Sequence, residues 1–276
     1  MRSPLCEDIG SMVRQDDRAV ILEIDNVTKA FGAVQALQSI SFNVYKGEIV
    51  ALVGDNGAGK STLIKIIAGV HTPTSGTLRV RGALCDFKTP ADALQVGIET
   101  VYQDLALIDP LDVADNVYLG REVLKKSWLG RVFGVLDRTQ MRRATGEALS
   151  QLHIKIPAPT MPVSRMSGGQ RQAVAIGRAV TWGRQLILLD EPTAALGVEE
   201  TEQVLLTIEK LRDEYGMTFI VISHNMQNVH RIADRIIVLR QGKHAATLDK
   251  YATTPEEIVA YITGAKAQTY ESHKDG

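Results

Sequence analysis

Two kinds of hydrophobic pattern run along this chain, and they predict two kinds of strand. Residues 21–31 ("ILEIDNVTKAF") and 36–48 ("ALQSISFNVYKGE") alternate apolar and polar positions, as half-buried strands of an antiparallel piece do. A Lys-Gly turn closes the second. Residues 49–54 ("IVALVG") are apolar without a break, the pattern of a parallel strand covered on both faces. The same pattern returns at 185–192 ("QLILLDEP"), 217–224 ("MTFIVISH") and 233–243 ("ADRIIVLRQGK"). Residues 75–82 form a further short strand. Helical periodicity marks 61–69, which stops on Gly69, and 198–216, where Val204, Leu205, Ile208 and Leu211 share a face, acids open the helix and Gly216 closes it. Strand–helix–strand alternation implies a parallel sheet with crossover helices. Residues of about 89–165 look mostly helical and less regular, as an inserted helical subdomain would. No internal repeat or low-complexity segment is visible. The expected organisation is a flexible tail at 1–19, a main α/β unit at 20–245, and a short helix with a disordered tail at 246–276.

Composition changes this picture little. The 276 residues are 45% hydrophobic and 23% charged, with a formal net charge of −1, so no overall basic field draws the chain to nucleic acid or anionic lipid. Cys6 and Cys85 are too few and too far apart for a zinc site or disulfide framework, and both read as free thiols in a reducing compartment. The first residues carry acids and no apolar core, unlike a signal peptide, and no apolar run reaches the roughly 18 residues of a membrane span.

Chemistry enters at "GDNGAGKST". Gly54, Asp55, Asn56, Gly57, Ala58, Gly59, Lys60, Ser61 and Thr62 match the phosphate-binding pattern G-x-x-x-x-G-K-[ST], between an apolar strand and a helix. Glycines let the backbone approach an anion, successive N–H groups face one concavity, and the helix start adds its positive end. Lys60 is then expected to reach the β- and γ-phosphates of a nucleotide, and the Ser61 hydroxyl to ligate Mg²⁺. Asp190 and Glu191 end a buried strand. Asp190 is positioned to hold Mg²⁺, directly or through water, and Glu191 to polarise a water for in-line attack on the γ-phosphate. His224 ends another buried strand, where strand carboxyl ends line a ligand crevice, and it is expected to meet the γ-phosphate.

"MSGGQRQAVAIGRAV" (166–180) supplies a second anion-ready helix start. Here the chain resembles the nucleotide-binding subunits of ATP-binding cassette (ABC) transporters, with all motifs in order over about residues 20–245. The resemblance implies a P-loop NTPase-type α/β fold: a mostly parallel sheet, an antiparallel β subdomain and an inserted helical subdomain. It implies two subunits facing head to tail, so that the signature residues Ser167, Gly168, Gly169 and Gln170 serve the ATP held by the partner, Ser167 and Gly169 contacting its γ-phosphate. Gln103 in "TVYQDLAL" matches the glutamine loop, which touches Mg²⁺ or the attacking water. Phe31 stands where the family usually has a tyrosine stacked on adenine, and it keeps the π face. Two residues depart from the pattern. Met166 replaces the leucine of the signature, a mild exchange by volume. Gly197 stands where many members carry an aspartate in the loop that couples the two sites, with Glu199 and Glu200 nearby as substitutes.

"GIETVYQDLAL", "ADNVYLGRE" and "ISHNMQNVHRIADRIIVLRQGK" are similar to bacterial monosaccharide importers of the ribose, xylose and fructose type, in shorter single-cassette form. That resemblance implies an ATPase peripheral to the cytoplasmic face of the inner membrane. Its partners would be a second copy or a paralogous cassette, integral permease subunits and a periplasmic sugar-binding protein, with no nucleic acid. The alternatives are an ABC transporter for another solute, or a soluble ABC-type ATPase acting on nucleic acid, which would usually show two cassettes, a coiled-coil insertion or a basic surface. A P-loop kinase or GTPase explains residues 54–61 and leaves "SGGQ" without a role. Basic stretches at 125–131 and 141–143 read as a solvated face of the helical subdomain.

Overall fold

The computed structural model describes residues 19–266 apart from 129–132, 153, 155, 157 and 184. The tails expected at either end, and Cys6, lie largely or wholly outside these residues. Two sheets and a helical lobe make up the fold. β1 (Val20–Phe31), β2 (Val34–Tyr45), β4 (Ser75–Val80) and β5 (Ala83–Cys85) form an antiparallel sheet in the order β2-β1-β4-β5. The second sheet has the order β10-β9-β3-β8-β7-β6, built from β3 (Ile49–Val53), β6 (Ile98–Val101), β7 (Leu186–Asp190), β8 (Phe219–Ile222), β9 (Arg235–Arg240) and β10 (Lys243–Asp249). Within it β9, β3, β8, β7 and β6 run parallel, and β10 returns antiparallel along β9.

The unbroken apolar runs are the parallel strands, as their composition dictates. All of β3 and β8 is buried, and β7 is buried up to Asp190. Helices cover them: α1 (Lys60–Ile67), α5 (Gly168–Trp182), α6 (Val198–Tyr215), α7 (Met226–Ile232) and α8 (Pro255–Thr263). One core joins Leu63, Ile64, Ile66 and Ile67 of α1 to both sheets, and another packs Val204, Leu205, Ile208 and Leu211 of α6 against β7, β8 and α5. The helical lobe holds α3 (Val113–Val117) and α4 (Arg138–Gln151), around Val113, Val117, Leu149, Val163, Met166 and Val174. Met166 is thus a core residue of that lobe, as a leucine would be. Among the described residues no helix is long and apolar enough to cross a membrane.

The stretch of about 89–165 is not uniformly helical. It contains α2 (Pro90–Gln95) and then β6, which pairs in parallel with β7 at the edge of the main sheet. "IETV" is four residues long and follows Gly97, too short for periodicity to identify. β5, β10 and α7 also had no clear pattern. "KHAATLD" owes its strand to the ladder β9 offers it, a tertiary effect.

Candidate functional site

Register aligns the strand ends. Leu52 of β3, Ile222 of β8 and Asp190 of β7 lie in one row, with β8 between the other two. The segments that follow, 54–59 after β3, Glu191 after β7 and Ser223–His224 after β8, therefore emerge side by side.

The loop after β3 turns at Gly54, whose φ is 152°. A Cβ there would stand 2.2 Å from the Leu239 carbonyl oxygen of β9, so no side chain fits. The loop is braced from outside: Gly242 N–H donates to Ala58 O at 3.1 Å, and Gln38 N–H of β2 donates to Gly242 O at 2.6 Å. Asp55, Asn56 and Gly57 stay exposed. Lys60 opens α1 and is 6% exposed, and its Nζ donates back to Gly54 O at 2.6 Å and Asp55 O at 2.9 Å. The ammonium thus closes the ring of the loop around the space where an anion would sit. Burial pulls Lys60 below the ordinary lysine value, against the opposing pull of Glu191, Asp55 and Asp190.

Asp190 is pushed above the ordinary carboxylate value, first by burial and then by Glu191 beside it, with Lys60, Lys65 and His224 acting the other way. Glu191 has a φ of 52°, in the left-handed region that side chains rarely adopt. Its N–H donates to Ile222 O at 3.0 Å, and the turn continues with Ala194 N–H to Glu191 O at 3.2 Å. This backbone aims the carboxylate across the sheet top, where His224 Nε2–H donates to Glu191 Oε1 at 2.7 Å. Strain at one acid and a fixed partner for it are features that side chains held for chemistry share.

Phe31 ends β1 and is 46% exposed, with the His71 ring edge-on at 5.3 Å and Lys29 Nζ 5.1 Å from the ring centroid. Gln103 lies exposed just beyond β6. The next turn has two residues of positive φ, Leu105 at 58° and Ala106 at 46°. Arg178 of α5 grips it, donating to Leu105 O at 2.9 Å and Ala106 O at 2.8 Å. Burial lowers the Arg178 value, and the nearby Glu99 opposes that. Arg121 joins the same cluster, paired with Glu99 at 2.5 Å and stacked 4.9 Å from the Trp182 ring. Sequence reading missed Arg178, Glu99 and Arg121 because charged residues in helices and strands look like solvated positions until their partners are known.

Ser167 caps α5: Gln170 N–H donates to its Oγ at 3.3 Å, and Gln170 Oε1 accepts from Ser167 N–H at 3.0 Å. Ser167, Gly169 and Gln170 line a cavity of about 390 Å³ against Glu199, Glu200 and Gln203 of α6. Lys60, Asp190, Glu191 and His224 are therefore gathered in one place, while 167–170 form a separate helix start on the helical side.

Comparison with known proteins follows the same lines. The ABC transporter family profile matches residues 37–194. A fructose import ATP-binding protein of Rhizobium meliloti is 44% identical over 253 residues, covering 91% of this chain and 97% of that protein. A xylose/arabinose import ATP-binding protein of Sulfolobus acidocaldarius is 46% identical over 243 residues, covering 88% and 94%. A ribose import ATP-binding protein of Burkholderia ambifaria is 39% identical over 90% of this chain, which spans 48% of its length. Among solved structures, a nucleotide-free ATP-binding cassette from an ABC transporter superposes with a TM-score of 0.73 at 26% identity, covering 88% of this chain and 95% of that one. A dimeric cassette in a post-hydrolysis state bound to ADP and Pi superposes with a TM-score of 0.67 at 27% identity, covering 83% and 99%.

Proposed function

The chain belongs to the ABC transporter family, as one of its ATP-hydrolysing subunits, and from this we propose that it powers uptake of a monosaccharide through a membrane permease. The observation that carries the reading is the joint one: a lysine-closed phosphate loop beside a strained glutamate paired to a histidine, in a chain 44–46% identical along nearly its whole length to fructose and xylose/arabinose import ATPases.

In this reading the loop 54–62 cradles the phosphates. Lys60 exchanges the carbonyls of Gly54 and Asp55 for the β- and γ-phosphates, and Phe31 stacks on adenine. Ser61, Gln103 and Asp190 offer hard oxygen ligands of the kind Mg²⁺ takes. Asp190 fits that role, because a carboxylate raised by burial and a like-charged neighbour is relieved by a cation. When bound, the ion neutralises charge on the phosphates. Glu191 accepts the proton of the attacking water, and His224 holds that carboxylate through Nε2. Ser167, Gly168, Gly169 and Gln170 act on the ATP of the partner subunit, so two chains close head to tail on two nucleotides and open after hydrolysis. The grip of Arg178 on the turn after Gln103 ties the signature helix to the glutamine loop, and so to the lobe on which permease subunits dock. The chain then sits at the cytoplasmic face of the membrane through the permease, which takes sugar from a periplasmic binding protein.

Reconstitution with the cognate permease and binding protein in liposomes tests this. ATP hydrolysis should rise when a particular pentose or hexose is supplied. Stimulation by no monosaccharide, but by another solute class, would replace the sugar reading with the alternative importer reading.

A further inference from the structure

Two helix starts converge on one carboxylate. Ser167 begins α5, Gly197 begins α6, and Glu200 in the first turn of α6 reaches both. Its Oε2 accepts from Gly197 N–H at 3.3 Å, which is an ordinary cap of its own helix. Its Oε1 accepts from Gly169 N–H at 3.3 Å, across 31 residues of chain, and the Ser167 side chain adds a smaller pull toward the charged form of the same carboxyl. A local cap needs only the first of these contacts. The reach to Gly169 depends on the missing side chain there, since a Cβ on Gly169 would stand 3.1 Å from both Cβ and Cγ of Glu200. The Glu200 carboxyl is held below its usual range by the Gly169 and Gly197 N–H groups, so it is an anion at neutral pH.

Ser167 and Gly169 carry the donors that the proposed function assigns to the γ-phosphate of the partner subunit. We propose that Glu200 is a built-in anionic placeholder: it occupies those donors in the open state, and closure on ATP has to eject it. The inference rests on the head-to-tail reading above. A carboxylate and a phosphate cannot share two donors, because each adds negative charge to the same small site. Ejection also releases Gly197 N–H, at the end of a loop that begins at Glu191. Arrival of the partner's phosphate at α5 is thereby transmitted to this chain's own Glu191, which serves the other ATP. With glycine at 197, Glu200 supplies the carboxylate that links the two sites.

The test uses the full chain in a Glu191→Gln background, with dimerisation followed by sedimentation velocity as ATP is raised. Glu200→Gln keeps the length and an acceptor oxygen and removes the charge. Its half-maximal ATP concentration should fall about tenfold, as losing one charge-assisted contact from the open state requires, while ADP affinity of the monomer stays unchanged. A midpoint that is unchanged or raised overturns the proposal. A purely structural cap predicts a lower melting temperature and no gain in dimerisation, so thermal unfolding of the same variant separates the two. If Glu191→Gln alone stays monomeric at saturating ATP, the head-to-tail reading fails first and takes this inference with it.

Discussion

Replacing Glu191 with Gln tests the chemistry most directly. The substitution preserves side-chain length, the acceptor facing His224 Nε2 at 2.7 Å, and the backbone bond from residue 191 to Ile222 O at 3.0 Å. What it removes is basicity. A positioned general base contributes about 10²- to 10⁴-fold to rate, and at about 1.4 kcal/mol per decade that is roughly 3–5.5 kcal/mol of transition-state stabilisation. Binding should be spared. The Lys60 ammonium is held by Gly54 O and Asp55 O and feels Glu191 only through its charge, so ATP affinity should stay within about threefold, the scale of a partly screened charge interaction. Steady-state phosphate release and equilibrium binding of a fluorescent ATP analogue measure the two quantities separately. His224→Ala should lower turnover less than Glu191→Gln does, and the double variant should fall no further than Glu191→Gln alone, because the pair acts as a unit. Turnover of Glu191→Gln above about a tenth of the parent rate would remove Glu191 from the base role. Additive losses would dissolve the pair.

Ser167→Arg should abolish hydrolysis and leave ATP binding by the monomer intact, since in the proposed function residue 167 serves the partner's nucleotide; an equal loss of monomer affinity on titration would defeat the in-trans assignment. Phe31→Ala should weaken ATP binding about tenfold, the value of an aromatic stack, and Phe31→Tyr should restore it, both read by the same titration. Asp190→Asn should stop Mg²⁺-dependent hydrolysis and change the pH dependence of stability. The folded carboxyl holds its proton more tightly than the unfolded chain, so its contribution is present at low pH and lost as pH rises through the raised folded value. Melting curves of the parent without nucleotide should therefore fall relative to Asp190→Asn as pH is taken upward from about 4, with 3.9 the ordinary aspartate value; a constant difference between the two would contradict the assigned direction.

The parts of the site that could be read in the sequence are those whose chemistry is local. The loop 54–62 needs a strand before it, a helix after it and glycines between, all within one short stretch, and the apolar run 49–53 states the context. Asp190, Glu191 and His224 were legible for a related reason. An unbroken apolar run can be parallel strand only if both its faces are covered, and the polar residues at its carboxyl end must then lie at the crevice. The β3-β8-β7 register brings those ends together, as alternation of strands and helices requires.

Side chains whose meaning lies in a distant partner were not legible. Arg178 is one charged residue on an amphipathic helix, and nothing near it in sequence announces that it will grip two carbonyls more than 70 residues away. The left-handed turn it holds, at Leu105 and Ala106, contains no glycine or asparagine to betray the positive φ. Glu200 was legible as one of two first-turn acids, a position favoured by the helix dipole in any protein, and with Glu199 as a substitute for the aspartate that Gly197 replaces, but its partner was not. Its second contact exists because α5 and α6 start side by side and because residue 169 has no side chain. Both residues tie together segments far apart in the chain, Arg178 joining α5 to the turn after β6 and Glu200 joining the starts of α5 and α6. In the proposed function the motifs specify the ATP site, and a protein that moves when its phosphate is cleaved needs links of this kind between elements far apart in the chain.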